Sequence, residues 1–439
     1  MENYFDFKGN GTTFKTEIIA GITTFLATMY IIVVNPAIIS ATGMPFPGVL
    51  TATVLVSAFS SIAMGIYARN PIVMAPGMGI NAFFAYTVVL GMGVKWETAL
   101  GTVFWSGVIF ILLSVFNVRT KILKAIPRQL RFAIAAGIGL FITFIGFENA
   151  RFIVGNPSTL VGIAKMNPII ITFLAGLLIT SLFVVKKFKG ALILGIAITT
   201  ILSIPIGRFY GDASTINMGA ATLVTWKGLF EWPDFSLFMA MDFIGALKFS
   251  LLPVIFVFLF TDLFDSVSTF IGVSEAADLL DDNGEPRRIK ESLIVDAFGT
   301  MISGPFGTSS ATSYIESAAG VEQGGRTGLT AVVAGLLFLP FMFFSPLLSV
   351  VPAIATAPAL ILVGVFMMKP VIKINWDKMD DAVPAFIGMI LIPLTHSITQ
   401  GIIWGFISWI VIKLAIGKRE EVSLTMIVIG LLALATLFV

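Results

Sequence analysis

Three carboxylates lie within stretches of this sequence that are otherwise apolar enough to sit inside a membrane. Asp262 and Asp265 belong to SLLPVIFVFLFTDLFDSVSTF, and Glu316 belongs to GTSSATSYIESAAGVEQGGRTG. An ionisable side chain is costly at membrane depth, so a carboxylate found there usually serves a function. Because burial penalises the charged form of a carboxyl, such a group can bind and release a proton as its surroundings change. We therefore take Asp262, Asp265 and Glu316 as candidate proton-coupling residues.

Hydroxyl side chains accompany these carboxylates at short spacings. Ser266 and Thr269 follow Asp262 by four and seven residues, so they share its helical face. Glu316 is preceded by a cluster of hydroxyl-bearing residues: Ser309, Ser310, Thr312, Ser313 and Tyr314. Hydroxyls both donate and accept hydrogen bonds, so the cluster predicts a site for a flat ligand with donors and acceptors of its own. The alternative, that these hydroxyls only satisfy an interrupted backbone, stays open.

The stretch around Glu316 is too short and too rich in Gly and Ser for an ordinary spanning helix. A second interrupted stretch, NPIVMAPGMGINAFFAY, contains Gly77, Gly79 and Asn81. In carriers, paired broken segments mark the substrate site, because the starts of the half helices offer free N–H groups. Asn81 adds an amide donor and acceptor, and Gly79 allows close approach of a ligand to the backbone. A helix-packing role for Asn81 is the alternative.

The composition indicates a membrane protein with many spans. Of the 439 residues, 57% are hydrophobic and 12% are charged, and the mean hydropathy is +0.98, whereas soluble domains carry about 25% charged residues. One span needs about 20 apolar residues. The sequence predicts an all-α polytopic fold of seven segments followed by seven more: 16–41, 48–68, 72–91, 96–118, 127–149, 168–185, 189–206, 246–274, 290–304, 308–320, 325–345, 349–369, 383–395 and 398–416. The stretch 423–438 is left open, as a last span or a tail packed on the membrane.

The basic residues set the expected orientation. Of the 27 Lys and Arg residues, 21 fall on the same side of the predicted segments as the N-terminus. The six on the other side are Lys95, Arg151, Lys165, Arg208, Lys227 and Lys248. Because cytoplasmic loops are enriched in Lys and Arg, we expect a multi-pass protein of the cell membrane with a cytoplasmic N-terminus. An odd number of segments in each half then makes the two halves inverted repeats.

Two acidic loops suggest a different class of protein. Asp278, Asp281 and Asp282 in one loop could pair with Asp377, Asp380 and Asp381 in another to bind Mg²⁺-diphosphate, as in membrane prenyltransferases. Solvated loop charges are the simpler interpretation, because an enzyme of that kind leaves the intramembrane carboxylates unexplained. The single histidine, His396, lies at a break between predicted segments and is expected to be structural. The chain has no cysteine, which excludes disulfides and thiolate metal sites.

Four runs of the sequence resemble a known family. They are TTFLATMYIIVVNP, APGMGINAFFAY, DLFDSVSTFIGVSEAADLLDDNGEPRR and GTSSATSYIESAAGVEQGGRTGLTAVVAGLLF. The chain resembles, over nearly its whole length, the AzgA-like adenine/guanine/hypoxanthine permeases of the nucleobase–ascorbate (nucleobase–cation symporter 2) group. The resemblance implies fourteen segments in two inverted repeats, with short paired strands in broken segments 3 and 10. It also implies a core domain, 1–126 with 244–346, that moves against a gate domain, 127–243 with 347–439.

The same resemblance implies proton-coupled uptake of purine bases, with the proton as coupling ion and no cofactor, enzymatic activity or nucleic-acid partner. Members of the family often form homodimers through the gate domain. By position, the acidic residue of segment 8 falls on Asp262, the glutamate of segment 10 on Glu316 and the polar residue of segment 3 on Asn81. Uracil-type relatives carry Glu and His where this chain has Asp262 and Ser266, which favours a purine over uracil.

The expected substrate site therefore comprises carboxylates, hydroxyls and a close backbone approach: Glu316, Asp262, Asn81, Ser266, Ser313, Tyr314 and Gly79. Which purine is preferred stays open at this point. A carrier of uracil, xanthine or an inorganic anion with the same fold is the nearest alternative.

Overall fold

The computed structural model describes residues 2–116, 126–209, 228–276, 279, 286–423, 426–427 and 430. We number its segments in chain order. In the first half, segment 1 comprises the helices Phe14–Thr28 and Ile31–Ile39. Segment 2 comprises the helix Phe46–Ala63 and its π-helical continuation Met64–Ala68. Segment 3 comprises strand β1 (Met74–Pro76), the helix Met78–Ala82 and its π-helical continuation Phe83–Gly91. Segments 4 to 7 are the helices Trp96–Val115, Arg128–Asn149, Pro168–Val185 and Ala191–Phe209.

The second half repeats this order. Segments 8 and 9 are the helices Leu252–Ala276 and Ile289–Phe306, and segment 10 comprises strand β4 (Ala311–Ser313), the 3₁₀ turn Ile315–Ser317 and the short helix Ala318–Glu322. Segments 11 to 14 are Gly328–Phe338, continued by Leu339–Phe343, and then Ala353–Met367, Met379–Thr395 and Ile398–Ala415. Short helices Glu2–Phe5 and Ser345–Leu348 lie outside this series.

The predicted fold class is confirmed, since each of the fourteen predicted segments contains helix. Within the described part of the chain, eight helices are long and apolar enough to cross a membrane. The predicted tail, 423–438, lies mostly outside the described residues, as do Lys227 and the acidic residues Asp278, Asp281 and Asp282.

The two broken segments meet through their strands. β1 pairs antiparallel with β4 in the register Met74 with Ser313, Ala75 with Thr312 and Pro76 with Ala311. All six of these residues are buried, which small side chains such as Ala75 and Ala311 permit. The pairing brings the third segment of one half beside the third segment of the other, with opposite strand directions, as expected for inverted repeats.

A second pair of strands was not expected from the sequence. β2 (Ile153–Asn156) and β3 (Leu160–Ile163) form an antiparallel hairpin between segments 5 and 6. Asn156 accepts hydrogen bonds from the backbone N–H groups of Ser158 and Thr159, which closes the turn. Hydropathy alone does not show this hairpin, because its strands are only four residues long and mostly exposed.

The helices form two groups. Segments 1, 2 and 11 pack together, as do segments 4 and 9, while segment 8 contacts segment 4 and the strand of segment 10. Segments 5, 12 and 13 form the second group with 6, 7 and 14. Close approach within the first group depends on Gly65 and Gly328. A Cβ atom on Gly328 would lie 1.9 Å from the carbonyl oxygen of Gly65.

Chain outside the fourteen segments covers both ends of the first group. At one end, the Tyr4 hydroxyl donates to the Ile66 carbonyl at 2.7 Å and the Thr12 hydroxyl donates to the Gly324 carbonyl at 3.1 Å. At the other end, the N–H of Met239 donates to the Pro305 carbonyl at 2.7 Å. The N–H of Asp242 likewise donates to segment 4. If successive segments cross in alternate directions, the segment ends contacted at one end of the group all lie on one side of the membrane. Those contacted at the other end all lie on the opposite side.

Candidate functional site

A break in segment 1 places a tyrosine in the buried interior. Residues Met29 and Tyr30 separate the two helices of this segment. Tyr30 is 1% exposed, and its hydroxyl donates to Glu316 Oε1 at 2.8 Å. Its ring centroid lies 6.4 Å from that of Tyr314. Tyr30 was not expected from the sequence, where segment 1 reads as one uninterrupted helix.

A cavity of about 50 Å³ lies beside this pair. Its lining comes from segments 1, 3, 8, 10 and 12, and includes Tyr30, Gly77, Met78, Gly79, Asp265, Thr269, Thr312, Ser313, Tyr314, Ile315, Glu316, Val363, Phe366 and Met367. The polar residues belong to the first group of helices, whereas Val363, Phe366 and Met367 belong to the second group. The cavity therefore lies at the border between the two groups.

Two carboxylates face this cavity, each with a hydroxyl partner from another element. Asp265 accepts from the Thr312 hydroxyl at 3.1 Å, and Glu316 accepts from Tyr30. Tyr314 donates its hydroxyl to the Pro76 carbonyl at 2.6 Å. The Ser313 hydroxyl is buried in the lining and has no hydrogen-bond partner among the residues that the structure describes. The site thus offers carboxylate acceptors and the Ser313 hydroxyl to a bound molecule.

Asp262 lies elsewhere, in the interior of the first group. It is fully buried and is not among the residues that line the cavity. Its carboxylate accepts from Ser310 at 3.1 Å and from Ser266 at 3.3 Å, and it also accepts from the Thr300 hydroxyl. Ser266 is in turn 2.5 Å from Asp296, a buried carboxylate of segment 9. The structure therefore brings Asp262 together with Ser266, while Asp265 and Glu316 share the cavity.

Asn81 and Gly79 occupy two faces of the half helix in segment 3. Asn81 is fully buried; its side-chain oxygen accepts from the Ser309 hydroxyl, and its amide nitrogen lies 3.5 Å from the Pro76 carbonyl. Its side chain does not line the cavity. Gly79 does line it, and a Cβ atom there would lie 2.3 Å from Cγ2 of Ile138 in segment 5. Gly79 is thus required for contact between the two groups of helices.

The second acidic loop has a structural role. Lys413, 1% exposed, lies 2.7 Å from Asp380, 2.8 Å from Asp381 and 2.7 Å from Glu421. Lys418 adds a second cation 2.6 Å from Asp380. Among the described residues, these three carboxylates are the one group spaced to hold a metal ion, but Lys413 already contacts all three and Lys418 contacts one of them. The simpler interpretation of the sequence, in which these loop charges are not a diphosphate site, fits the ion pairs of Asp380 and Asp381, while Asp278, Asp281 and Asp282 lie outside the described residues.

Two further buried carboxylates were not expected from the sequence. Glu17 accepts from the Arg326 N–H at 2.8 Å and from the Thr330 hydroxyl at 2.7 Å, so segment 1 caps the start of segment 11. Asp296 stands in the apolar run SLIVDAFGTMISG. The signal that singled out Asp262, a carboxylate in an apolar stretch, applies equally to Asp296. Tyr30 has no such signal, because an aromatic residue is ordinary in a membrane helix.

Three comparisons relate this chain to known proteins. The sequence pattern described as "Permease family" matches residues 15–404. The adenine permease AdeP of Escherichia coli (strain K12) is 41% identical over 435 residues, covering 98% of this chain and 94% of that protein. The guanine/hypoxanthine permease PbuO of Bacillus subtilis (strain 168) is 40% identical over 440 residues, covering 99% of this chain and 100% of that protein.

Among solved structures, the transmembrane domain of a cyanobacterium bicarbonate transporter, BicA, has a similar fold. The TM-score is 0.64 at 16% identity, with 90% of this chain and 97% of the other covered. At this identity the likeness concerns the fold alone.

Proposed function

Because the chain belongs to the permease family, we propose that it is a proton-coupled carrier that imports purine nucleobases. The observation that supports this most directly is the cavity in which Glu316, Asp265 and the unpartnered Ser313 hydroxyl face one space. A purine base presents ring N–H donors beside ring-nitrogen or carbonyl acceptors. The carboxylates can accept from the former, and the Ser313 hydroxyl can donate to the latter.

We assign roles to the predicted residues by their positions. Glu316 accepts hydrogen bonds from ring N–H groups, and Tyr314 forms part of the wall against which the flat base lies. Gly79 and Ser313 bring backbone close to the ligand, and Asn81 holds the half helix of segment 3 through Ser309. This assignment makes Asn81 a supporting residue rather than a direct ligand.

Proton coupling falls to the carboxylates. Asp262, which accepts a hydrogen bond from Ser266, binds the coupling proton at a position apart from the base. Asp265 and Glu316 contact the base itself. Protonation neutralises a buried charge and so lowers the cost of moving the loaded site past an apolar surface. No cofactor is needed for this cycle, since the ion gradient supplies the driving force.

The two groups of helices suit an alternating-access cycle. A core of segments 1–4 and 8–11 carries the site, and a gate of segments 5–7 and 12–14 contributes Val363, Phe366 and Met367 to the cavity. We place residues 228–243 with the core rather than with the gate, because the Met239 N–H donates to the Pro305 carbonyl of segment 9 and the Asp242 N–H donates to the Glu97 carbonyl of segment 4. The cavity has room for about two water molecules, so Phe366 and Met367 must move to admit a base.

The location and orientation of the protein in the membrane follow from the distribution of its basic residues. We place the protein in the cell membrane with a cytoplasmic N-terminus, because 21 of its 27 Lys and Arg residues lie on that side of the segments. A carrier of inorganic anions, suggested by the fold of BicA, fits less well, since two carboxylates in the cavity would repel an anion.

The test replaces Glu316 in cells that lack their own purine carriers. Glu316→Gln keeps the size of the side chain but removes its charge, and should lower the uptake of hypoxanthine, guanine or adenine by about tenfold or more, the worth of a hydrogen bond to a charged group. Asp377→Asn removes the charge of an exposed carboxylate outside the site and serves as the matched control. Unchanged uptake by the Gln variant, with equal amounts of protein in the membrane, would show that the cavity is not the base site.

A further inference from the structure

The wall of the cavity contains two tyrosines with different partners. Tyr314 directs its hydroxyl to the Pro76 carbonyl at 2.6 Å and so joins segment 10 to segment 3. Tyr30 directs its hydroxyl to Glu316 Oε1 at 2.8 Å and so joins segment 1 to segment 10. Only the Tyr30 contact reaches a group, the Glu316 carboxylate, that can accept a hydrogen bond from the ligand.

Glu316 needs such a partner to act selectively. Glu316 is the middle residue of a single 3₁₀ turn, Ile315–Ser317, and is only partly buried. A glutamate side chain has three rotatable bonds, and a short turn does not by itself choose one arrangement. A hydroxyl fixed 2.8 Å from one carboxylate oxygen selects the rotation of the whole group.

Tyr30 can supply that fixed point because its own position is constrained. It is 1% exposed, and it stands where the helices Phe14–Thr28 and Ile31–Ile39 meet. The N–H of Val34 donates to the Tyr30 carbonyl at 3.0 Å, so the residue is anchored in the helix that follows. Its ring also lies beside the Tyr314 ring, whose hydroxyl is committed elsewhere.

From this geometry we propose that Tyr30 is the positioning residue for Glu316, and that its hydroxyl determines which ring N–H of a bound base the carboxylate accepts. The inference rests on the proposed function. A carboxylate held by Tyr30 at one oxygen meets the ligand in one orientation, so the site discriminates between a ring nitrogen that carries hydrogen and one that does not. Without the hydroxyl, Glu316 turns freely and accepts from any N–H within reach.

The experiment measures equilibrium binding to the purified full-length protein. The ligands are hypoxanthine and its 1-, 7- and 9-methyl derivatives, in which a methyl group replaces one possible ring N–H at a time. Wild-type protein should bind hypoxanthine and reject at least one methyl derivative. In Tyr30→Phe the ratio between those two dissociation constants should fall by about tenfold, the worth of a hydrogen bond to a charged group. Tyr4→Phe, which removes a hydroxyl from the far N-terminal end, should leave the ratio unchanged.

The outcomes separate the two proposals. A merely structural role for Tyr30 predicts that Tyr30→Phe weakens all four ligands by one factor, and an unchanged ratio would overturn the inference while the proposed function stands. Wild-type protein that binds hypoxanthine without rejecting any methyl derivative would overturn it too. Wild-type protein that binds no purine base at all would overturn the proposed function itself. Thermal unfolding of Tyr30→Phe beside Tyr4→Phe checks that the ring alone maintains the fold.

Discussion

Two aspartates one helical turn apart serve different surroundings in this molecule. Asp265 faces the cavity and accepts from Thr312, whereas Asp262 faces the core interior and accepts from Ser310, Ser266 and Thr300. Three residues advance an α-helix by about 300°, so the two side chains point about 60° apart and one turn along the axis. That separation suffices to put one carboxylate at the cavity and the other among hydroxyls. Under the proposed function, base binding and proton binding can therefore be changed one at a time.

Asp262→Asn should therefore separate transport from binding. Because Asp262 does not line the cavity, the variant should bind hypoxanthine as wild-type protein does, and Asn still accepts from the Ser310 hydroxyl. It cannot release a proton, so accumulation of base against its gradient should fall to the equilibrium level. Base-for-base exchange in proteoliposomes, compared with uptake driven by an imposed pH gradient, measures both properties. Gradient-driven accumulation at the wild-type level would remove Asp262 from the coupling path.

Contacts between elements are of two kinds. Some lie within the proposed core, and others join the core to the gate and must break if the two move apart. Segments 2 and 11 touch backbone to backbone at Gly65 and Gly328, and Glu17 caps the start of segment 11 from segment 1. At the end of segment 3, in contrast, the Thr87 hydroxyl donates to the His396 carbonyl between segments 13 and 14 at 2.8 Å. This bond joins the proposed core to the proposed gate. His396 is held there with its ring edge-on to Phe144, at 4.8 Å between centroids.

Gly328→Ala should destabilise the core. The added Cβ would lie 1.9 Å from the Gly65 carbonyl oxygen, which is backbone and cannot turn aside. Overpacking of this kind costs about 1–3 kcal/mol in free energy of unfolding, and the thermal midpoint in detergent should fall accordingly. Gly155→Ala, where nothing lies within 4 Å of the new Cβ, is the control. Equal midpoints for the two variants would mean that segments 2 and 11 do not meet at these glycines.

Thr87→Val should shift the balance between the two access states. It removes one hydrogen bond between core and gate, worth about 1 kcal/mol, and hence changes the population ratio about fivefold. The chain has no native cysteine, so Ser313→Cys gives a single reporter in the cavity. Its labelling by an impermeant thiol reagent added outside should rise about fivefold with Thr87→Val. Thr172→Val, whose hydroxyl donates to the Pro168 carbonyl within its own helix, should not change it. A lack of response to Thr87→Val would show that this bond does not hold the outer side closed.

Most of the fold of the whole molecule was predicted from the hydropathy pattern and from the matching interrupted stretches in its two halves. Each of the fourteen predicted segments contains helix, and the strand pairing of β1 with β4 agrees with the inverted halves. The hairpin of β2 and β3 was missed because short exposed strands leave no hydropathy signal. Helical period placed Asp262, Asp265 and Ser266 on one face, but it could not say which neighbours each would meet. That depends on how segments 1, 9 and 10 pack around segment 8, which no single helix encodes.

The burial of Tyr30 and the separation of Asp262 from the cavity are both consequences of this packing. Tyr30 reaches Glu316 across 286 positions of sequence, and Asn35 similarly links segment 1 to Thr308 at 2.9 Å. Contacts of that length join the first and second halves into one core, so the site exists only when both repeats are folded. A carrier whose site is shared by its two halves can expose it to each side of the membrane in turn.

The most direct test of this account is uptake of radiolabelled hypoxanthine, guanine and adenine by cells that lack their own purine carriers, with and without a protonophore. Cells producing the protein should accumulate at least one of these bases, the other bases should compete, and the protonophore should abolish the accumulation. Accumulation that persists when the proton gradient is collapsed would contradict proton coupling. No uptake of any of the three bases by protein shown to be in the membrane would contradict the proposed function.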